Sequence, residues 1–561
     1  MSKESPANSL KQEDEARLED AKRERDQVEV DGVSETLLDL RMYHELNAGS
    51  LVVDPEEAKI EFGEAVASRL KLPRDGTKVL WPQPTDDPED SQNWSERRKI
   101  IPLVIITLAA IIPDFDSGIG IAAIFALVEQ FNTMTGVIDN LTSNWSIFLL
   151  GWGSVFAIIL MRRYGRLPVL FWSQVIAAGF LIGVTFAPNL ATFAGMRCLT
   201  AFFATCPQVT GLFVVTDMFP FHKQARMLNF WTMGFLVSPF LSPSAFGFLV
   251  ARANWRWSYG IGSTYSVVIT LIIAFFGEET LLHVMHSLYR MYDRRLTDIP
   301  RRVHSGFRYR IETLIGITCA RLAKYRDTLW HSFKEPLRLV WRLQLIGVLA
   351  FEAMLFGFGI GINVTNAVFL AEPIEIGGFA WGPFAIAGGY GTPIVGVLLG
   401  ELFGRYVNDF IANAYIRRSH GVFDAEARLW ACYVAVPLYI CGFVLLGTSL
   451  QNHMSPGALI MGWGIAEFAI MVNTTAVYAY ANNCFPKSQG AISALLNLFR
   501  TLGGFAVAYF QVPWASKNGA LQTFGCEVAI VAGLFLLVVP LTQWKGKAMR
   551  ARRSLVGLSR M

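Results

Sequence analysis

The stretch AAIIPDFDSGIGIAAIFALVEQF, residues 109–131, decides how the chain is read. It is apolar enough for a buried or membrane helix, yet it carries Asp114 and Asp116 in its interior. An ionised carboxylate facing lipid costs several kcal/mol, so such a residue belongs against a protein interior or a wet cavity. Two acids here therefore predict a bundle of helices around them rather than an isolated anchor.

The rest of the chain agrees. Of its 561 residues, 53% are hydrophobic and only 17% charged, and the mean hydropathy is +0.37. Soluble domains carry about a quarter charged residues. The net charge of +4 is spread out, with no basic stripe that would suit nucleic acid. None of the seven cysteines forms a CxxC pair, which argues against a disulfide framework or a zinc site. No GxxxxGK[ST] loop is present, so ATP is not the expected energy source.

Runs of about 20 apolar residues, the length that crosses a bilayer, fall near 100–127, 142–161, 168–187, 191–216, 228–250 and 257–277. They resume near 343–371, 381–404, 428–448, 456–481, 489–512 and 519–542. This predicts an all-α membrane protein with twelve transmembrane helices in two six-helix halves, 100–277 and 343–542. A central linker (278–342) and a C-terminal tail (543–561) are polar. The first 99 residues, with stretches such as KQEDEARLEDAKRERD (11–26), are expected to be a largely disordered tail.

Lys and Arg concentrate in alternate loops. Arg97, Arg98 and Lys99 precede the first run, Arg162, Arg163 and Arg166 follow the second, and Arg405, Arg417 and Arg418 follow the eighth. By the positive-inside rule both termini are cytoplasmic. Two repeated halves of this kind are the plan of a secondary transporter, with its site at the midplane between them.

Several motifs, taken in order, resemble the major facilitator superfamily, and within it the fungal twelve-span drug:proton antiporters. RRYGRLPVL (162–170) is similar to the loop signature D-R-x-G-R-R-P through Gly165, Arg166 and Pro168, although Arg162 stands at the acidic position. GMRCLTAFFA (195–204) matches the arginine motif at Arg197, and DMFPFHKQAR (217–226) resembles the D-x-F…R turn through Asp217 and Arg226. GFLVSPFLSPSAFGF (234–248) resembles the antiporter motif G-x-x-x-G-P-x-x-G-P-x-x-G-G at Gly234, Pro239, Pro243 and Gly247, with Ser238, Ser242 and Phe246 at glycine positions. Small serines preserve close helix approach; Phe246 is expected to spoil it. GELFGRYVNDF (400–410), GVFDAEARLW (421–430) and DPEDSQNWSERRK (87–99) look like further fungal signatures.

The resemblance implies the major facilitator fold, with spans 1, 4, 7 and 10 around a central cavity and a cytoplasmic gate. Gate candidates are Arg162, Gly165, Arg166, Asp217, Arg226, Glu401, Arg405 and Asp409. The ionisable residues within the four cavity spans are Asp114, Asp116, Arg197, Glu352 and Glu467. From the rise of a helix, Asp114 lies about 21 Å from the inner edge and Arg197 about 9 Å from the outer edge, so the two could pair. Asp114 and Asp116 are about 200° apart on a helix, so only one is expected to face the cavity. Glu352 shares a face with Asn363 and Asn366, and Glu467 with Tyr478. Asp114 could instead relieve a helix disturbed by Pro113, and Arg500 reads as a structural salt-bridge partner in span 11.

Together these residues predict a secondary active transporter, not an enzyme. It would export a small organic molecule (a drug, toxin or secondary metabolite) by alternating access, using the proton gradient and no cofactor or metal. Burial of a carboxylate favours its protonated form and a bound cation favours the ionised one, so proton and substrate can compete. Uptake or exchange of organic cations such as polyamines is the alternative; a non-transporting sensor with a transporter fold is a further one. The expected setting is the plasma membrane, as a monomer with small molecules, protons and lipid as its partners and no nucleic acid. Asn140-Leu-Thr is a glycosylation sequon in an expected outer loop, and His283 and His286 form an H-x-x-H without further ligands.

Overall fold

The computed structural model describes residues 49–73, 76–84, 90–279, 307–323, 326, 328–371 and 379–558. Twelve helices are long and apolar enough to cross a membrane, six in each half. Spans 1 to 6 are Glu96–Ala122, Thr135–Tyr164, Arg166–Thr185, Leu190–Met218, Phe221–Val250 and Arg256–Phe276. Spans 7 to 12 are Leu343–Ala371, Pro383–Arg418, Ala425–Gln451, Pro456–Cys484, Gln489–Asn518 and Ala520–Met549. Each coincides with an expected apolar run, but several run longer. Span 8 was expected to end at 404 and continues as helix through the polar GRYVNDFIANAYIRR to Arg418. It stops where His420 and Gly421 take positive φ.

Local chemistry shapes the spans that matter most. Ser95 caps span 1, its Oγ accepting from the Arg98 N–H at 3.4 Å, with Glu96 in the first turn. Span 4 is interrupted at Thr205, because Pro207 in the next turn offers no amide hydrogen to continue the ladder. Span 2 opens with a π-helical turn over Asn140–Asn144, a widening often found at functional sites.

The N-terminal segment departs most from expectation. Residues 1–48, which include the charged stretch, lie outside the described residues, but the described residues of 49–84 and 90–95 fold against the arginine-rich face. β1 (Ser50–Val52) pairs antiparallel with β2 (Val422–Asp424), which lies between spans 8 and 9. Trp81 is fully buried and its Nε1 donates to the Val52 carbonyl at 2.6 Å. The Trp81 carbonyl in turn accepts from the Phe221 amide at the start of span 5, at 2.8 Å. Phe221 and Phe423 meet edge-on at 4.7 Å, closing a small core with Leu51, Val53 and Val79. The segment thus binds a residue of the first half and a strand of the second. A local reading of composition misses this because the apolar partners lie more than 100 residues away.

Asp424 anchors the strap. The Tyr415 hydroxyl donates to its Oδ2 at 2.9 Å and Lys547 Nζ lies 3.4 Å from Oδ1. Burial raises its pKa, but hydrogen bonds from Ser50 and Tyr415 and the Lys547 charge outweigh it, leaving the carboxyl below its ordinary value. A depressed carboxylate stabilises the fold above its unfolded pKa and loses that stability as pH falls through the folded one. Protease sensitivity of residues 49–84 should therefore rise below a pH of about 4, where carboxylates protonate, and Asp424→Asn should remove that part of the pH dependence.

In the central linker, helices cover Phe307–Ile315, Ile317–Leu322 and Leu329–Val340. His283 and His286 lie outside the described residues.

Candidate functional site

Asp114 on span 1 and Glu352 on span 7 bring one carboxylate from each half to the interface between them. Gln208, just past the break in span 4, donates Nε2 to Asp114 Oδ2 at 2.6 Å and to the Ala110 carbonyl at 3.3 Å. Glu352 accepts from Thr474 Oγ1 at 2.7 Å and from Asn473 Nδ2 at 2.9 Å, both on span 10. Arg500 of span 11, 1% exposed, lies near enough for its charge to act on Asp114, Glu352 and Tyr478. Its Nη2 donates to Asn497 Oδ1 at 3.0 Å, and Asn497 Nδ2 donates to Thr205 Oγ1 at 3.2 Å, tying span 11 to the break in span 4. The guanidinium lies over Phe235 of span 5 at 4.3 Å and Phe356 of span 7 at 4.2 Å. The Tyr478 ring stands 5.8 Å from Trp231 and 6.1 Å from Phe235.

Asp116 sits elsewhere. Two residues further round the helix, it turns into the first half and is 1% exposed, with neither carboxylate oxygen hydrogen-bonded among the described residues. The Arg197 charge acts on Asp116, and its Nη2 reaches Ser117 Oγ and the Thr142 carbonyl, each at 3.4 Å. The pairing of Arg197 with Asp114, allowed by depth, is thus replaced by two neighbourhoods on opposite sides of span 1. Depth along an axis was the right quantity to compare; rotation about it decided the partner.

Glu467 is buried in the second half. An ideal Cβ on Gly359 would stand 3.7 Å from its Oε1, and its charge acts on Tyr439, as does that of Glu527. Glu527 accepts from Gln511 Nε2 at 3.0 and 3.1 Å, a packing contact between spans 11 and 12. Phe115, beside Asp114, packs against Phe246 and Tyr265 at 5.4 and 5.6 Å.

The proline motif of span 5 explains Asn363. Pro243 has no amide hydrogen, so the Pro239 carbonyl one turn earlier lacks its intrahelical donor. Asn363 Nδ2 supplies a replacement at 3.4 Å, while its own carbonyl accepts from the Tyr390 hydroxyl at 2.7 Å. The same segment allows close approach: a Cβ on Gly118 would fall 2.8 Å from Pro243 Cδ, and one on Gly247 would fall 2.7 Å from Ala387 Cβ. Phe246 does not spoil this, because its ring turns onto Phe115.

At the arginine-rich face, Arg166 pairs with Asp217 within the first half and lies 4.0 Å over the Phe213 ring. Arg226 pairs with Asp409 across the halves at 2.6 Å, and Arg405 with Glu401 one turn apart at 2.7 Å. Gly165, at φ 96°, makes the turn between spans 2 and 3. Arg162, at the position where an acid was expected, pairs with Glu335 of the linker helix, which also accepts from Ser488 Oγ at 2.5 Å. An inverted charge has found an inverted partner. Asn229, missed in the sequence, donates to the Glu401 carbonyl at 2.6 Å and accepts from Thr475 at 2.8 Å.

The sequon expected in an outer loop lies in span 2 itself. Asn140 Oδ1 accepts from the Tyr509 hydroxyl at 2.6 Å, and Thr142 is fully buried.

Residues 106–508 match the profile of the Major Facilitator Superfamily. The chain belongs to that superfamily. It is 24% identical over 455 residues to the MFS transporter fsa7 of Fusarium sp. (strain FN080326), covering 81% of this chain and 83% of the relative. It is 21% identical over 513 residues to the efflux pump radE of Floropilus chiversii, covering 91% of each. Among solved structures it resembles the MFS proton:xylose symporter XylE with a TM-score of 0.55 at 12% identity, covering 79% of this chain and 97% of that one. Within that fold, Arg500 lies against Phe235 of the first half and Phe356 of the second.

Proposed function

We propose that the protein exports a small organic molecule by alternating access, with proton movement through Asp114 and Glu352. The observation that carries this reading is one carboxylate from each half, Glu352 buried and Asp114 half-buried, within reach of the charge of the buried Arg500. Each acid is held by neutral donors that can serve it in either protonation state: Gln208 for Asp114, Thr474 and Asn473 for Glu352. Rocking of the halves would present both acids first to one side and then to the other. The efflux relative supports the outward direction. The clustering of arginine at one face supports cytoplasmic termini.

The test is retention of a labelled polyamine, a lipophilic cation and a lipophilic anion in transport-deficient cells expressing the protein, with and without a protonophore. Protonophore-sensitive extrusion of one probe is expected. Asp114→Asn and Glu352→Gln should each slow it by about 100-fold or more, the scale of a lost proton-transfer group. Polyamine accumulation would reverse the direction, and undiminished extrusion by both variants would remove the acids from the mechanism.

A further inference from the structure

Two aromatic rings and one hydrogen bond hold Arg500. Phe235 from the first half and Phe356 from the second cover it with aromatic rings, at 4.3 and 4.2 Å. Asn497 takes Nη2, yet Nε and Nη1 donate to nothing among the described residues, and the residue is 1% exposed. Unmade hydrogen bonds of a buried guanidinium are costly, so a residue left this way is waiting for acceptors. The two nearby acids are engaged with other donors, Asp114 with Gln208 and Glu352 with Thr474 and Asn473.

We infer that Arg500 is the recognition group for cargo, and that the cargo is a planar organic anion whose carboxylate or enolate oxygens lie in the guanidinium plane. This rests on the transporter reading above and names the substrate class of its central site. The donors of a guanidinium lie in its plane and fit two oxygens side by side, the geometry of a carboxylate or a deprotonated 1,3-dicarbonyl. The flanking rings favour a flat conjugated body. Because Phe235 and Phe356 belong to different halves, a ligand on Arg500 touches both, as a molecule carried between alternating states must. Neutralising either acid removes negative charge from around the anion and should strengthen its binding.

The experiment uses the purified full-length protein in micelles and measures binding of labelled 2-naphthoate, with 2-naphthamide and 2-naphthylmethylammonium as competitors of the same shape. Naphthoate is expected to bind at least about tenfold tighter than the amide, the scale of a charge-assisted contact. Arg500→Gln should abolish that preference, Arg500→Lys should keep only part of it, and Glu352→Gln should tighten naphthoate. The comparison of three charges on wild-type protein stands even if Arg500→Gln does not fold. Equal affinity for naphthoate and amide, binding of neither, or preference for the ammonium compound would overturn the proposal. A naphthoate preference in micelles without flux in reconstituted vesicles would keep the anion site and sink transport; flux of a cation without that preference would do the reverse.

Discussion

Trp81→Ala should release residues 50–82 from the arginine-rich face. Trp81 is fully buried, its indole hydrogen bonds to Val52 and its carbonyl accepts from Phe221, so truncation removes the centre of the small core and the group that orders β1. Losing a buried tryptophan costs about 3–5 kcal/mol. The Lys78 to Asn413 hydrogen bond at 2.7 Å is exposed, and the β1–β2 pair keeps its backbone bonds but loses the indole that covers it. Trypsin cleavage after Arg69, Lys71 or Lys78 of the full chain should accelerate at least about tenfold, the response to a local opening made more than 1.4 kcal/mol easier. Cleavage at the wild-type rate would mean that the segment is held by something other than this core. The segment joins span 5 of one half to β2 of the other.

Asp217→Asn is the second large effect. Asp217 and Arg166 form an ion pair whose side chains are 11% and 9% exposed, and Phe213 covers the guanidinium. Breaking a buried ion pair by removing one charge costs about 3–5 kcal/mol. Lys223 and Glu96, 2.9 Å apart in the same region, are 39% and 61% exposed, and pairs of that kind contribute about 0.2–1 kcal/mol. Thermal unfolding followed by intrinsic fluorescence should show a clear drop in midpoint for Asp217→Asn and almost none for Glu96→Gln. The exchange Arg166→Asp with Asp217→Arg should recover part of the loss. Equal shifts for the two single variants would show that burial is not what distinguishes the pairs.

The candidate site was partly legible. Asp114, Glu352 and Tyr478 stand out because acids and a polar ring are rare in apolar runs, and the structure brings them together. Arg500 was visible on the same grounds but read as a structural partner, since nothing in its own span shows which acids it meets. Gln208 carried the weaker signal of an amide beside Pro207 at mid-span. Asp116 and Glu467 were grouped with the others by depth, yet each faces the interior of its own half.

What the sequence alone determined is whatever follows from length and period along one helix. The twelve apolar runs, their six-and-six division and the charged loops needed no partner to be read, because a bilayer imposes the same length and polarity on every span. Tertiary structure alone decided what each helix turns towards its neighbours. A rotation of about 200° separates Asp114 from Asp116 and sends one to Arg500 and the other to Arg197. The pairing of β1 with β2, and of Arg162 with Glu335, joins residues far apart in the chain, where local pattern holds no information about the partner.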